Sequence, residues 1–142
     1  MSRADDIIQL AKGLKETWKT DDPMRLAALY GIHVYYTNVN PEAFKAQTFQ
    51  IDKYPVMISI NSNFDHASQK ILCAHELGHA LLHKGLNHFD VTRQNMYGNE
   101  EHEANLFAVA LLFDETEFRM PLKEMSNSLL LAVLQYNIRP KQ

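Results

Sequence analysis

Cysteine is nearly absent: Cys73 stands alone in 142 residues, so no internal disulfide can form, and this usage fits a reducing compartment. Glycine and proline number five each, which excludes collagen-like and low-complexity chains. Positive charge is not in excess, with 14 Lys+Arg against 17 Asp+Glu and a net charge of −3. A dedicated nucleic-acid binder usually carries a strong basic surplus, so direct nucleic-acid binding is not expected. No run approaches the roughly 18 consecutive apolar residues of a membrane span. The opening Met1-Ser2-Arg3-Ala4-Asp5-Asp6 turns acidic at once and lacks the apolar stretch of a signal peptide. We therefore expect a cytoplasmic protein with no membrane partner. What remains is ordinary: 46% hydrophobic and 22% charged residues over the length of one domain, taken as 1–142.

Hydrophobic spacing predicts the elements. Ile7, Ile8, Leu10, Ala11, Leu14 and Trp18 share one helical face over residues 4–19, with Trp18 expected as packing. Thr20-Asp21-Asp22-Pro23 caps that helix and starts a second, which ends at Gly31, so the N-terminal helices occupy 4–30. Ile32–Thr37 and Val56–Ile60 read as strands, rich in β-branched and aromatic residues, and Gln47–Ile51 alternates like a short third strand. The sheet thus falls within 32–61. A long helix follows over about 65–84, ended by Gly85, then a loop over 86–99. Further helices span about 100–112 and 126–135. Strands clustered between helices predict an α+β fold, a small three-stranded sheet with helices against it.

The chemistry sits in the long helix, where His75-Glu76-Leu77-Gly78-His79 is an H-E-x-x-H sequence. Residues four apart differ by about 40° in azimuth and about 6 Å in height, so both imidazoles can reach one ion. Zn2+ suits two neutral imidazoles plus a carboxylate, with a fourth position open to water. Glu76 falls beside that position, placed to take a proton. Composition alone would produce about 0.02 such motifs in a chain of this make-up. The flanking Ile71, Leu72, Ala74, Leu77, Ala80, Leu81 and Leu82 cover nearly every face, the mark of a buried helix. Burying two imidazoles and a carboxylate is costly unless something satisfies them, which favours a metal. Cys73 reads as a small core residue.

The third ligand is sought in Glu100-Glu101-His102-Glu103-Ala104-Asn105. Glu101 is favoured because it lies nearest the apolar face of Ala104, Phe107, Ala108, Leu111 and Leu112, with Glu103 and His102 as rivals and Glu100 as a solvated first-turn acid. Asn105, one turn on, would hydrogen-bond a metal-bound imidazole. His83 continues the histidine row. It reads as a C-terminal residue interacting with the helix dipole in preference to a supporting or substrate-contacting group. Tyr97, His88 and His102 are weak candidates for stabilising an oxyanion or leaving group. Val56–Ile60 either lines the substrate as a sheet edge or lies inside the sheet.

Cys73-Ala74-His75-Glu76-Leu77-Gly78-His79-Ala80-Leu81-Leu82-His83, followed by Glu101-x-x-Ala104-Asn105-x-Phe107-Ala108, resembles the ImmA/IrrE family of metallo-endopeptidases. The lead-in Lys19-Thr20-Asp21-Asp22-Pro23 and Gly31-Ile32-His33-Val34 is similar too, extending the match over roughly 5–115. The family often continues Leu-Leu-Met-Pro where this chain has Leu111-Leu112-Phe113-Asp114. The resemblance implies a zincin-like minimal domain with His75, His79 and Glu101 on Zn2+ and Glu76 as the catalytic base. It also implies an antirepressor of bacteria or mobile elements such as prophages. Such a protein hydrolyses a peptide bond in a helix-turn-helix repressor. The alternative is a zinc-containing module that relieves repression by binding the repressor without cutting it.

Overall fold

A computed structural model describes residues 2–83 and 98–142. Its order is α1 (Arg3–Trp18), α2 (Pro23–Leu29), β1 (His33–Thr37), β2 (Ala46–Phe49), β3 (Met57–Asn61), α3 (His66–Leu82), α4 (Gly98–Leu112) and α5 (Asn127–Tyr136). This is the α+β arrangement expected, with five helices and one three-stranded sheet among the described residues. Two 3-10 turns, Glu115–Glu117 and Leu122–Glu124, join α4 to α5. The Lys84 and Gly85 helix end and the 86–97 part of the loop lie outside the described residues; residues 98 and 99 already belong to α4.

Local chemistry sets the helix starts. Ser2 and Asp5 form a reciprocal capping box on α1, and Asp22 caps α2 with Pro23 in its first turn. Asp65 Oδ1 accepts from the Ser68 amide at 2.8 Å to open α3, and Ser126 caps α5. Gly31 closes the α2 turn at φ 72°, a conformation glycine adopts without a Cβ clash.

β3 is the central strand. It runs parallel to β1, with Val34 opposite Ile58, and antiparallel to β2, with Thr48 opposite Ile58. Ile58, Ile60, Ser59 and Asn61 are all buried, so both faces of β3 are covered. The inside reading of this segment therefore holds, and β2 is an edge. β2 ends before Ile51, which is exposed, because Asp52 turns the chain at φ 45°. Buried Asn61 donates to the Val39 and Phe44 carbonyls at 3.0 and 2.8 Å, tying the β1–β2 loop to the sheet.

The core lies between the sheet, α3 and α4, with α1 and α5 closing it. α4 departs from its expected one-sided pattern: Leu106, Val109 and Ala110 are buried as well as Ala104, Phe107, Ala108 and Leu111. It is wrapped by α1, α3 and α5, so no face from Ala104 to Leu111 meets water. Trp18 packs at the surface instead of in the core, 40% exposed and edge-on to Tyr30 at 6.3 Å. Cys73 is fully buried as expected, and burial pushes its thiol pKa up.

The α3–α4 approach is unusually close at Gly78. A Cβ there would lie 3.2 Å from the Ala104 Cα and 3.2 Å from the Phe107 ring. At the C-terminus, the Asp65 amide donates to the Arg139 carbonyl at 2.9 Å and the Lys141 amide to the Asn63 carbonyl at 2.7 Å. These bonds draw the chain that follows α5 across the start of α3, and α5 lines a cleft together with His75.

Candidate metal centre

α3 presents His75 and His79 one turn apart, and α4 brings Glu101 to meet them. His75 Nε2 lies 3.2 Å from His79 Nε2 and 3.1 Å from Glu101 Oε2, and His79 Nε2 lies 2.9 Å from Glu101 Oε1. Donors about 2.0–2.1 Å from a tetrahedral Zn2+ would stand about 3.3 Å apart, so this set fits a small divalent ion with little adjustment. Two neutral nitrogens and one carboxylate oxygen also match the donor preference of such an ion. His79 is almost fully enclosed, while the Glu101 side chain is 42% exposed, so the site opens toward solvent on the Glu101 side.

The electrostatics agree. Burial by itself would raise the Glu101 pKa, but hydrogen bonds and charge from His75 and His79 overcome it and hold the carboxyl well below its usual range. Burial would likewise depress His75, yet the bond to Glu101 and the carboxylates of Glu76 and Glu101 leave its pKa raised. Glu101 thus stays ionised, as a carboxylate that is to hold a cation must.

Glu76 follows on the same helix, buried, with Oε2 3.9 Å from His75 Nε2. Its Oε1 accepts a 2.6 Å hydrogen bond from the Thr48 hydroxyl, which also lies 3.0 Å from the Glu76 carbonyl. Thr48 was not expected at the site. The alternation of 47–51 sets it with Gln50 on the face opposite Phe49 and Ile51, the polar face by pattern, and the pairing of β2 with β3 is what buries it against α3.

The rivals for the third position go elsewhere. Glu103 pairs with Arg3 at 2.9 Å and with His83 Nε2 at 2.8 Å. His102 faces a separate cleft with Arg3, Ala4 and Ile7. Glu100, expected in solvent, is half-buried, and its Oε2 has no hydrogen-bond partner among the described residues. Tyr97 and His88 lie outside the described residues. Asn105 is fully buried and donates to Asn127 Oδ1 at 2.8 Å. Its Oδ1 forms no hydrogen bond of good geometry, yet it sits close enough to His75 to favour the protonated ring. His83 is more than a helix end: its buried ring stands 3.0 Å from His79, Nδ1 to Nδ1.

Two clefts meet at the site. One, of about 370 Å3, is lined by Phe44, Ala46 and Gln47 of the β2 side together with His75, Glu76, His79 and Glu101. The other, of about 210 Å3, runs between α3 and α5, where Ile71, Leu72, Leu131, Leu134 and Ile138 make it largely apolar.

The family model of Peptidase_M78, an IrrE N-terminal-like domain, matches residues 27–137 and so takes in both histidines, both glutamates and α5. The chain belongs to the Peptidase_M78 family. Among the Peptidase_M78 chain's relatives is "Uncharacterized immunity region protein 2" of Bacillus phage phi105, 35% identical over 104 residues, covering 72% of this chain and 65% of the phage protein. Another is the metallopeptidase ImmA of Bacillus subtilis strain 168, 42% identical over 66 residues, covering 45% of this chain and 37% of ImmA. The chain thus spans less than two thirds of the length of either relative. No solved structure matches it significantly. Among the described residues no helix is long and apolar enough to cross a membrane.

Proposed function

We propose that this Peptidase_M78 chain is a zinc-dependent endopeptidase, with His75, His79 and Glu101 as the metal ligands and Glu76 as the catalytic proton carrier. The observation that carries the reading is the convergence of His75 Nε2, His79 Nε2 and the two carboxylate oxygens of Glu101, with contacts of 2.9–3.2 Å, beside the buried Glu76 carboxylate. Zn2+ held there would supply Lewis acidity to the scissile carbonyl and to the attacking water. Thr48 holds Glu76 Oε1, leaving Oε2 on the His75 side to receive the proton from that water. The same oxygen then delivers the proton to the leaving amine nitrogen. Asn105, whose amide is fixed by Asn127, lines the same cleft as His75 and would orient its ring once the ion is bound.

The substrate is a protein segment in extended form. The outer edge of β2 borders the site and offers backbone groups for strand addition. The cleft between α3 and α5 accepts an apolar side chain next to the scissile bond. The names of the two relatives, one a phage immunity region protein and one a metallopeptidase, support a helix-turn-helix repressor of a prophage or mobile element as that protein. The site of action is the cytoplasm.

The test is intact mass spectrometry of a repressor encoded beside this chain's gene, incubated with the zinc-loaded protein. A fragment pair is expected, and Glu76→Gln should keep its zinc while losing cleavage by about 100-fold or more. Undiminished cleavage by Glu76→Gln would overturn the mechanism. An unaltered repressor mass in a stable complex would replace the peptidase with a module that relieves repression by binding alone.

A further inference from the structure

His83 belongs to a bonded row that begins at the metal-site histidine and ends on α1. His79 Nδ1 lies 3.0 Å from His83 Nδ1, His83 Nε2 lies 2.8 Å from Glu103 Oε1, and Arg3 grips both oxygens of Glu103, Nε to Oε2 at 2.9 Å and Nη2 to Oε1 at 3.1 Å. The two rings are buried, whereas Glu103 and Arg3 are progressively more exposed.

Hydrogen-bond polarity runs one way along this row. A carboxylate only accepts, and a guanidinium only donates. Glu103 therefore requires the hydrogen of His83 on Nε2. A neutral His83 then carries its lone pair on Nδ1, where the only compatible partner for His79 is an Nδ1–H donor. A neutral His79 with its hydrogen on Nδ1 has its lone pair on Nε2, and a cation bound between that atom and the Glu101 carboxylate, now 2.9 Å away, would satisfy both acceptors. That is the tautomer a metal ligand needs. The reverse arrangement, with the hydrogen of His79 on Nε2, would put a donor where the ion belongs.

We propose that His83 and Glu103, anchored by Arg3, are positioning residues that impose the ion-binding tautomer and ring orientation on His79. This inference rests on the ion-binding reading of His75, His79 and Glu101. It explains why the end of α3 is tied to the first turn of α1, and it gives Glu103 a task in the centre without a place on the ion.

The experiment titrates the intact protein with Zn2+ against a competing chelator and records 15N NMR of the imidazoles in the zinc-loaded wild type. We expect Nδ1–H on His79 and Nε2–H on His83. His83→Phe, which fills the volume but offers no acceptor, should bind Zn2+ 10- to 100-fold more weakly. His83→Asn, whose amide oxygen falls near the Nδ1 position, should recover most of the affinity. A role in packing alone predicts the opposite ranking of these two variants. Nε2–H on His79, or equal zinc affinity for wild type and His83→Phe, would overturn the proposal while leaving the metal site intact. A wild type that takes up no zinc would instead overturn the ion-binding reading beneath it.

Discussion

The same substitution, glycine to alanine, should act with opposite sign at two helical positions of this chain. At Gly13, inside α1, an added methyl meets nothing within 4 Å. Alanine there removes unfolded-state freedom and should stabilise the fold by about 0.5–1 kcal/mol. At Gly78, inside α3, the same helical gain applies, but the methyl would stand 3.2 Å from the Ala104 Cα and 3.3 Å from its carbonyl oxygen. The Phe107 ring, also at 3.2 Å, can turn aside, whereas the α4 backbone cannot. Overpacking of this kind costs about 1–3 kcal/mol, so Gly78→Ala should be net destabilising by about 1–2 kcal/mol. For a chain of this length each kcal/mol moves Tm by about 3–4 °C. Thermal unfolding of the metal-free protein should therefore rise by about 2–4 °C for Gly13→Ala and fall by about 3–8 °C for Gly78→Ala. Zinc affinity should fall only for Gly78→Ala, because the α3–α4 separation sets the distance from Glu101 to the histidines. If Gly78→Ala matches Gly13→Ala in Tm and binds zinc like the wild type, the argument that this close approach builds the site is refuted.

Glu101→Ala should abolish stoichiometric zinc binding, measured by metal content after gel filtration, while His102→Ala should retain one ion per chain. Chelation of the wild type should lower Tm, and added Zn2+ should restore it, since an ion that binds only the folded state stabilises by mass action. Thr48→Val removes the donor to Glu76 Oε1 and should lower turnover by about 10- to 100-fold, with zinc affinity nearly unchanged. Acid should unfold the protein in a specific way. Asp65 and Asp5, through the hydroxyls of Ser68 and Ser2, and Asp114 and Glu115, through the amides of Thr116 and Leu122, are all held below their ordinary carboxylate pKa. Their contribution is fully present above the unfolded values of about 4, and it is lost as pH falls through the lower folded ones. Urea midpoints should thus drop below about pH 4, less steeply in Asp65→Asn, which keeps the cap oxygen but cannot titrate.

Much of the centre was legible in one stretch of chain. Helical periodicity alone puts His75 and His79 on one side with Glu76 next to them, and the apolar flanks mark that helix as buried, because both follow from a fixed angle per residue. The helix start near Asp22 was readable for a local reason too, an acidic cap followed by proline. Thr48 was not, since its aim at Glu76 depends on β2 pairing with β3 and lying against α3. Nor was the true place of His83, whose partner Glu103 comes from another helix. Glu101 was distinguishable from Glu103 only by angle around α4, and what parts them in space is the packing of that helix. Local backbone geometry thus determined which groups share a helix face. The distances between helices, and with them the choice of third donor and the bonds behind His79, came from side-chain volume at the α3–α4 contact, where a residue without a Cβ lets two backbones nearly touch.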